Sequence, residues 1–165
     1  MSTGNMIITE RDHSRFMSIL DELDETANAK FVFLLDKSGQ QIASAGDLES
    51  IDATALASLT AGNVAATEGV AQLVGESGFT NLFHEGRSDN LHISVVSDRV
   101  ILLVVFDERS SLGLVRLRVE QCLAKLGLVV DEVVARADAP LRQQAQEAAA
   151  LGDITEADLD ALFGK

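Results

Sequence analysis

The sequence is poor in the residues and runs that mark several common classes of protein. Its 165 residues include one cysteine, Cys122, so no disulfide can form within the chain. The longest purely apolar stretch, Val100 to Phe106, is far too short to cross a bilayer. The first residues lack the basic and apolar regions of a secretory signal. We therefore expect a cytoplasmic protein that does not insert into membranes.

Basic residues are also scarce. Thirteen lysines and arginines stand against 26 aspartates and glutamates, which gives a net charge of −13. Nucleic acid and anionic membrane surfaces would be repelled by such a chain, so its partners should be neutral or basic proteins. With 47% hydrophobic and 24% charged residues, the composition is that of an ordinary globular protein with one compact domain.

The motifs of nucleotide-binding and catalytic sites are missing. The chain has no Gly-x-x-x-x-Gly-Lys-Ser/Thr loop for phosphates, no Rossmann glycine fingerprint and no Gly-x-Ser-x-Gly elbow. His13, His84 and His92 are scattered and form no metal-ligand pair with Cys122 at a recognisable spacing. His84 and His92 are predicted on neighbouring strands, where they could face one another as structural residues or as ligands. We predict no active site, metal or cofactor, and a buried structural Cys122.

Hydrophobic periodicity and turn residues predict eight elements in the order α-β-β-α-β-β-β-α. Asn28 is the predicted end of the first helix, and Asp52 and Ser110 are the predicted N-caps of the other two. This order implies an α+β fold, a five-stranded antiparallel sheet with helices on both faces. The predicted ranges are Glu10–Ala27, Phe31–Asp36, Gln40–Ala45, Ile51–Gly75, Asn81–Gly86, Leu91–Ser97, Arg99–Asp107 and Ser111–Arg136.

The last part of the chain differs in composition from the predicted domain, residues 1–136. Residues 137–152 contain the only proline, Pro140, and are mostly alanine, glutamine and charged residues, so we predict a flexible tether. Residues 153–163 then resemble a short acidic amphipathic helix capped by Thr155. The apolar residues of this helix are Ile154, Leu159, Leu162 and Phe163. They either dock back on the domain or bind a partner.

The long second helix carries two stripes of uncharged residues. The first stripe, which holds the larger side chains, is predicted to lie on the sheet: Leu56, Leu59, Ala66, Val70 and Leu73. The second stripe repeats every four residues and is predicted to contact a partner: Ala57, Ala61, Ala65 and Gly69, flanked by Thr60, Val64, Glu68 and Gln72. These alanines could equally lie beneath another element of the same chain. Glycines cost about 1 kcal/mol each in a helix interior, and Gly62 and Gly69 therefore favour the partner interpretation.

Several stretches resemble the Roadblock/dynein light-chain family, and more closely its bacterial MglB-like branch of GTPase regulators. The resemblance extends over roughly Arg11 to Arg136. The residues that carry it are Asn28–Leu34, Ala53–Ala66, Phe83–Gly86 and Ser111–Leu117, and residues 154–163 are similar to the tail of that branch.

The resemblance implies a homodimer whose sheets join edge to edge and whose second helices lie side by side. It implies that the dimer binds a small Ras-like GTPase of the MglA type and stimulates GTP hydrolysis by repositioning the switch residues of the GTPase itself. The role would be control of cell polarity and gliding motility at a cell pole, with a second GTPase surface for the tail. The expected contact residues are Ala57, Thr60, Ala61, Val64, Ala65, Glu68, Gly69 and Gln72.

Two other interpretations remain open at the level of the sequence. A Roadblock scaffold that bridges proteins without affecting GTP turnover would have the same composition on its docking face. A small-molecule enzyme is a third, less supported class because no catalytic constellation is present. Arg109, which precedes the last predicted helix, is a candidate arginine finger or an ordinary surface charge.

Overall fold

The computed structural model describes residues 6–152, which fall into two compact units. One unit is Ile8–Asp131, and the other takes in residues 6–7 and 132–152. Within residues 6–152 the order of elements is the predicted one, with three helices and five strands. They are α1 (Glu10–Ala27), β1 (Phe31–Asp36), β2 (Gln41–Gly46), α2 (Ala53–Val74), β3 (Asn81–Glu85), β4 (Asn90–Val96), β5 (Val100–Phe106) and α3 (Leu112–Gly152).

Side chains at the helix ends fix the limits of α1 and α2. The Thr9 hydroxyl accepts a hydrogen bond from the Asp12 backbone, and the Asp12 carboxylate accepts one from the Thr9 backbone, which completes a capping box at the start of α1. Asn28 ends α1 in the left-handed conformation. The Asp52 carboxylate accepts from the Ala55 backbone N–H at 3.0 Å. The predicted roles of Asn28 and Asp52 are confirmed.

The start of α3 differs by one residue from the prediction. The hydroxyl of Ser111, not that of Ser110, accepts a hydrogen bond from the Leu114 backbone N–H at 3.2 Å, as an N-cap does. Ser110 instead donates its hydroxyl proton to the carbonyl of Ala27 at the end of α1. The Ser110 side chain therefore ties the loop before α3 to the first helix.

The five strands form one antiparallel sheet in the order β2-β1-β5-β4-β3. The first hairpin and the β3–β4–β5 meander meet where β1 pairs with β5, so these two strands are central. Their side chains are buried on both faces, which explains their continuous apolar sequences. Strands β2 and β3 are the edges of the sheet.

Helices cover both faces of this sheet, as predicted. Side chains alternate along a strand, so odd-numbered residues of β1 and β5 lie on the α2 side and even-numbered residues on the opposite side. The α2 side contains Phe31, Phe33, Leu35, Ile101, Leu103 and Val105 packed with residues of α2. On the opposite side, buried residues of α1 and of α3 within the larger unit provide the apolar cover, among them Phe16, Leu20, Leu23, Val115, Val119 and Leu126.

The segment that the composition marks as a tether is helical. Helix α3 continues through residues 137–152, as far as the structure describes the chain, so the prediction of a flexible tether there is wrong. Alanine, glutamine, glutamate, arginine and leucine are all good helix formers, and this intrinsic preference does not require a core face. Pro140 lies inside the helix, where it removes one backbone donor without ending the element.

Candidate functional site

The structure reverses the predicted orientation of α2. Ala57, Thr60, Ala61 and Val64 were expected on a partner surface, but all four are buried against the sheet of the same chain. Three of them belong to the core cluster with Phe31, Phe33 and Leu103. Their side chains are therefore structural, and the prediction that they face a partner is wrong.

A repeat of four residues cannot stay on one side of an α-helix over a long distance. Each residue turns the helix by about 100°, so a step of four advances the position by about 40°. Ala57 and Ala61 consequently lie towards the sheet, while Ala65 and Gly69 have rotated to the exposed side. The stripe seen in the sequence is divided between two faces of the helix.

The large aliphatic side chains of α2 lie on the outside. Leu59 is 73% exposed, Val70 is 52% exposed and Leu73 is 89% exposed, although all three were predicted to pack on the sheet. Leu56 is half-buried and packs against the core, and Ala66 is exposed. We call Leu59, Gly62, Ala65, Ala66, Gly69, Val70 and Leu73 the outer face of α2.

Two features make this outer face unusual for a helix surface. A Cβ atom added at Gly62 or Gly69 would meet nothing within 4 Å, so both glycines open directly to the surroundings. The only charged residue among the 22 of α2 is Glu68. A solvated helix face normally carries several charges, and an uncharged face with exposed leucine and valine indicates a protein contact.

The remaining predicted contact residues lie on or beside this face. Ala65, Gly69 and Gln72 are exposed, and Glu68 is partly exposed at the border of the face. The Glu68 carboxylate accepts a hydrogen bond from the Lys37 ammonium group at 2.7 Å. Lys37 was not predicted as part of the site, because a turn lysine in the first hairpin has no sequence signal that links it to α2.

The surroundings of His84, His92 and Cys122 are those of structural residues. His84 pairs with Leu91 and His92 pairs with Phe83, so the two histidines lie on opposite faces of the sheet and do not face one another. His92 is buried, and burial followed by the nearby charge of Arg116 lowers its pKa. The Cys122 thiol is buried, which raises its pKa to about 12 and leaves it protonated at neutral pH.

The described part of the chain has neither a cluster of metal ligands nor a membrane-spanning helix. Between residues 6 and 152, no three histidine, cysteine, aspartate or glutamate side chains are grouped closely enough to hold a metal ion. In the same range, no helix has both the length and the apolar character needed to cross a membrane. The predicted tail motif, Ile154, Leu159, Leu162 and Phe163, lies outside the described residues.

Comparison with known proteins identifies close relatives of this arrangement. The Roadblock/LC7 domain model matches residues 16–106. The solved structure of Myxococcus xanthus MglB is 49% identical, with 77% of this chain and 96% of that chain covered and a TM-score of 0.74. The gliding protein MglB from Thermus thermophilus is 28% identical, with 79% and 99% covered and a TM-score of 0.73.

A third solved structure, MglB with a tetrameric arrangement, is 27% identical, with 80% of this chain and 99% of that chain covered and a TM-score of 0.75. Comparison with curated proteins gives no match. The domain match extends from α1 to the end of β5 and includes all five strands and the whole of α2. The chain therefore belongs to the Roadblock/LC7 family, and its relatives at high coverage make it an MglB-like member.

Proposed function

We propose that the protein is a homodimeric activator of a small Ras-like GTPase of the MglA type. It binds the GTPase through the outer face of α2 and promotes hydrolysis by holding the switch residues of the GTPase in their active arrangement. The protein contributes no catalytic group of its own. Its cellular role is the control of polarity and motility, and we expect it in the cytoplasm with a concentration at one cell pole.

The observation that carries the proposal is the uncharged, apolar outer face of α2. Leu59, Val70 and Leu73 are exposed in a single chain, while the adjoining Ala65 and Gly69 leave a shallow surface. Large exposed apolar residues beside small ones suit two close contacts, one with a second copy of the helix and one with another protein. Because the chain is related to MglB proteins, we infer that the partner is a GTPase.

Dimerisation would use two features of the larger unit. Strand β3 is an edge of the sheet, so one row of its backbone N–H and C=O groups is not paired within the sheet. A second copy could pair with this edge and extend the sheet, in agreement with the arrangement that the family resemblance implies. Part of the outer face of α2 would then lie against its counterpart, which removes exposed leucines from water, and the rest of the face would stay open to the GTPase.

The surroundings of Arg109 favour activation without an arginine finger. The Arg109 Nε–H group donates to both carboxylate oxygens of Asp107, at 3.0 and 3.2 Å, and the Arg109 backbone N–H donates to the same carboxylate. Arg109 follows the C-terminal end of β5, whereas Lys37 and Glu68 lie near its N-terminal end, since Asp36 pairs with Val100. The Nε–H group of Arg109 is thus bound to Asp107, away from the Glu68 side of α2.

The decisive measurement is phosphate release by an MglA-type GTPase with and without the purified protein. We expect faster release with the wild-type chain, and loss of both binding and stimulation with Ala65→Arg or Gly69→Arg. Ala124→Arg, at an exposed position of α3, is the matched control. Arg109→Ala should retain near-normal stimulation.

Each other outcome points to a specific error in the proposal. Binding without faster phosphate release would mean that the protein is a scaffold. Binding that survives Ala65→Arg would mean that the outer face of α2 is not the GTPase site. Loss of stimulation in Arg109→Ala, with binding intact, would restore the arginine-finger mechanism. The tail motif is tested in the same assay with Leu159→Ser and Phe163→Ser, which should weaken a second contact with the GTPase.

A further inference from the structure

A cavity of about 560 Å³ opens beside the C-terminal half of α2. We call it the Lys37 cavity. Its charged walls are Lys37 from the turn between β1 and β2, Glu68 from α2 and Asp98 from the turn between β4 and β5. Gln72 also lines it, so the cavity adjoins the proposed GTPase surface directly.

One cation in this cavity is shared by two carboxylates. The Lys37 ammonium group lies 2.7 Å from Glu68 Oε1 and 2.9 Å from Asp98 Oδ1. Burial acts to lower the pKa of Lys37, but its hydrogen bonds to Glu68 and Asp98 outweigh this effect and raise it, so Lys37 is charged at neutral pH. The three groups together carry a net charge of −1.

The two carboxylates retain capacity for another donor. Lys37 is 22% exposed, whereas Glu68 is 46% exposed and Asp98 is 90% exposed. An ionised carboxylate offers about four acceptor positions, and Lys37 occupies one on each residue. Most of the Asp98 carboxylate therefore faces solvent at the mouth of the cavity, where a second cation can reach it.

The turn that presents Asp98 has an uncommon backbone. Ser97 and Asp98 both have positive φ angles, 49° and 55°, a conformation that glycine and asparagine adopt most easily. Aspartate tolerates this region better than most residues, and here it also brings a carboxylate to Lys37. The turn thus accepts a less favourable backbone while it places a negative charge at the cavity.

The remaining wall of the cavity is apolar and hydroxylic. Phe79, in the loop between α2 and β3, is 40% exposed, and Val95 also lines the cavity. Ser77, Thr80 and Ser97 add hydroxyl groups. An aromatic ring that lines the same cavity as two carboxylates suits a long basic side chain, because the ring can contact the aliphatic or guanidinium part while the carboxylates bind the charge.

We propose that the Lys37 cavity receives a lysine or arginine side chain of the bound GTPase, which joins Lys37 at Glu68 and Asp98. This proposal rests on the proposed function, because it assumes that a GTPase docks on the adjoining face of α2. The incoming cation is attracted by the carboxylates and repelled by Lys37. The contact therefore selects partners with a basic residue at this position and speeds their association.

Two charge changes of opposite sign test this idea. Asp98→Asn should weaken binding of an MglA-type GTPase loaded with a non-hydrolysable GTP analogue by about three- to tenfold, mainly through slower association. Lys37→Met keeps the aliphatic stem but removes the repulsion, and should strengthen binding by about two- to fivefold. Both effects should shrink as the salt concentration rises. Association rates are measured by stopped-flow fluorescence with the full-length chain.

Matched controls separate a local contact from the overall field of the protein. Lys125→Met removes a lysine that is also paired with a glutamate at 2.7 Å, and Glu120→Gln removes an exposed carboxylate on α3. The proposal is supported if these controls change binding much less than the cavity variants and all variants unfold at similar urea concentrations. It is overturned if cavity and control variants behave alike, or if Lys37→Met weakens binding as Asp98→Asn does.

The Ala65→Arg variant distinguishes failure of the docking face from failure of the cavity proposal. If Ala65→Arg leaves binding intact, the proposed docking face is wrong, and the cavity proposal fails with it. If Ala65→Arg abolishes binding while the cavity variants match their controls, the docking face is supported and only the cavity proposal is refuted.

Discussion

The two sides of α2 have the opposite arrangement from an ordinary surface helix. Its inner side holds small residues such as Ala57 and Ala61, and its outer side holds the larger Leu59 and Leu73. Small residues let the helix approach the rest of the chain closely: a Cβ atom at Gly39, in the turn between β1 and β2, would lie 3.1 Å from the Cα atom of Ser58. The space between the helix and the rest of the domain therefore decides which side of α2 is buried. Side-chain hydrophobicity alone does not predict it.

This comparison also separates stability from function along a single element. The inner side completes the core of the chain and should govern its folding. The outer side adds apolar surface that the single chain leaves in water, which is costly unless a partner covers it. Substitutions on the two sides should consequently change different measurements.

The largest expected effect is that of a charge on the inner side. Val64 is buried, so Val64→Asp places an unpaired carboxylate in the core and should lower the free energy of unfolding by about 3–5 kcal/mol. Ala66→Asp, on the exposed side, should lower it far less. Urea unfolding followed by circular dichroism at one fixed protein concentration makes the measurement. Similar losses for both variants would contradict the observed orientation of α2.

An intermediate effect is expected when the outer side loses its leucines. In a dimer that buries them, Leu59→Ser combined with Leu73→Ser should raise the dissociation constant by about 10- to 100-fold, since apolar area is no longer removed from water. Analytical ultracentrifugation over a range of concentrations measures this change. Leu117→Ser with Leu128→Ser removes two exposed leucines of α3 and serves as the control. An unchanged dissociation constant would exclude this face from the dimer.

The smallest effects concern two glycines. One lies in the β1–β2 turn against the inner side of α2, and the other lies on the outer face of α2. Gly39 has a φ angle of 91° and little space beside α2, so Gly39→Ala should destabilise the chain by about 1–2 kcal/mol. Gly62 lies in open space on the outer face, and Gly62→Ala should stabilise the isolated chain by up to about 1 kcal/mol through helix propensity. Thermal unfolding at low protein concentration compares the two. Destabilisation by Gly62→Ala would mean that α2 has a close neighbour there within the chain.

Part of the fold and of the site was accessible from sequence patterns. Asp52 and Asn28 carry short-range signals, because a capping side chain bonds to backbone groups a few residues away. Ala65 and Gly69 were correctly expected on a surface, since small uncharged residues in a helix gave a reason to look for a partner. Whether they contact one remains a prediction.

Other features were not accessible because they depend on residues far apart in the chain. The bridge from Lys37 to Glu68 joins a hairpin turn to α2, and the bond from Lys37 to Asp98 reaches a turn 61 residues away. No local pattern links these positions. The helical course of residues 137–152 differs from the prediction for another reason: these residues have no apolar stripe, but helix propensity acts without one.

The sequence by itself determined the order and type of the elements, because hydrophobic period, turn residues and caps act over only a few neighbours. Tertiary structure alone decided which side of α2 meets the sheet. Apolar residues lie all round that helix, so its periodicity does not favour one side. The choice depends on the gap above Phe31 and Phe33, which Ala57, Ala61 and Val64 of α2 fill. That gap exists only once β1 and β5 have paired.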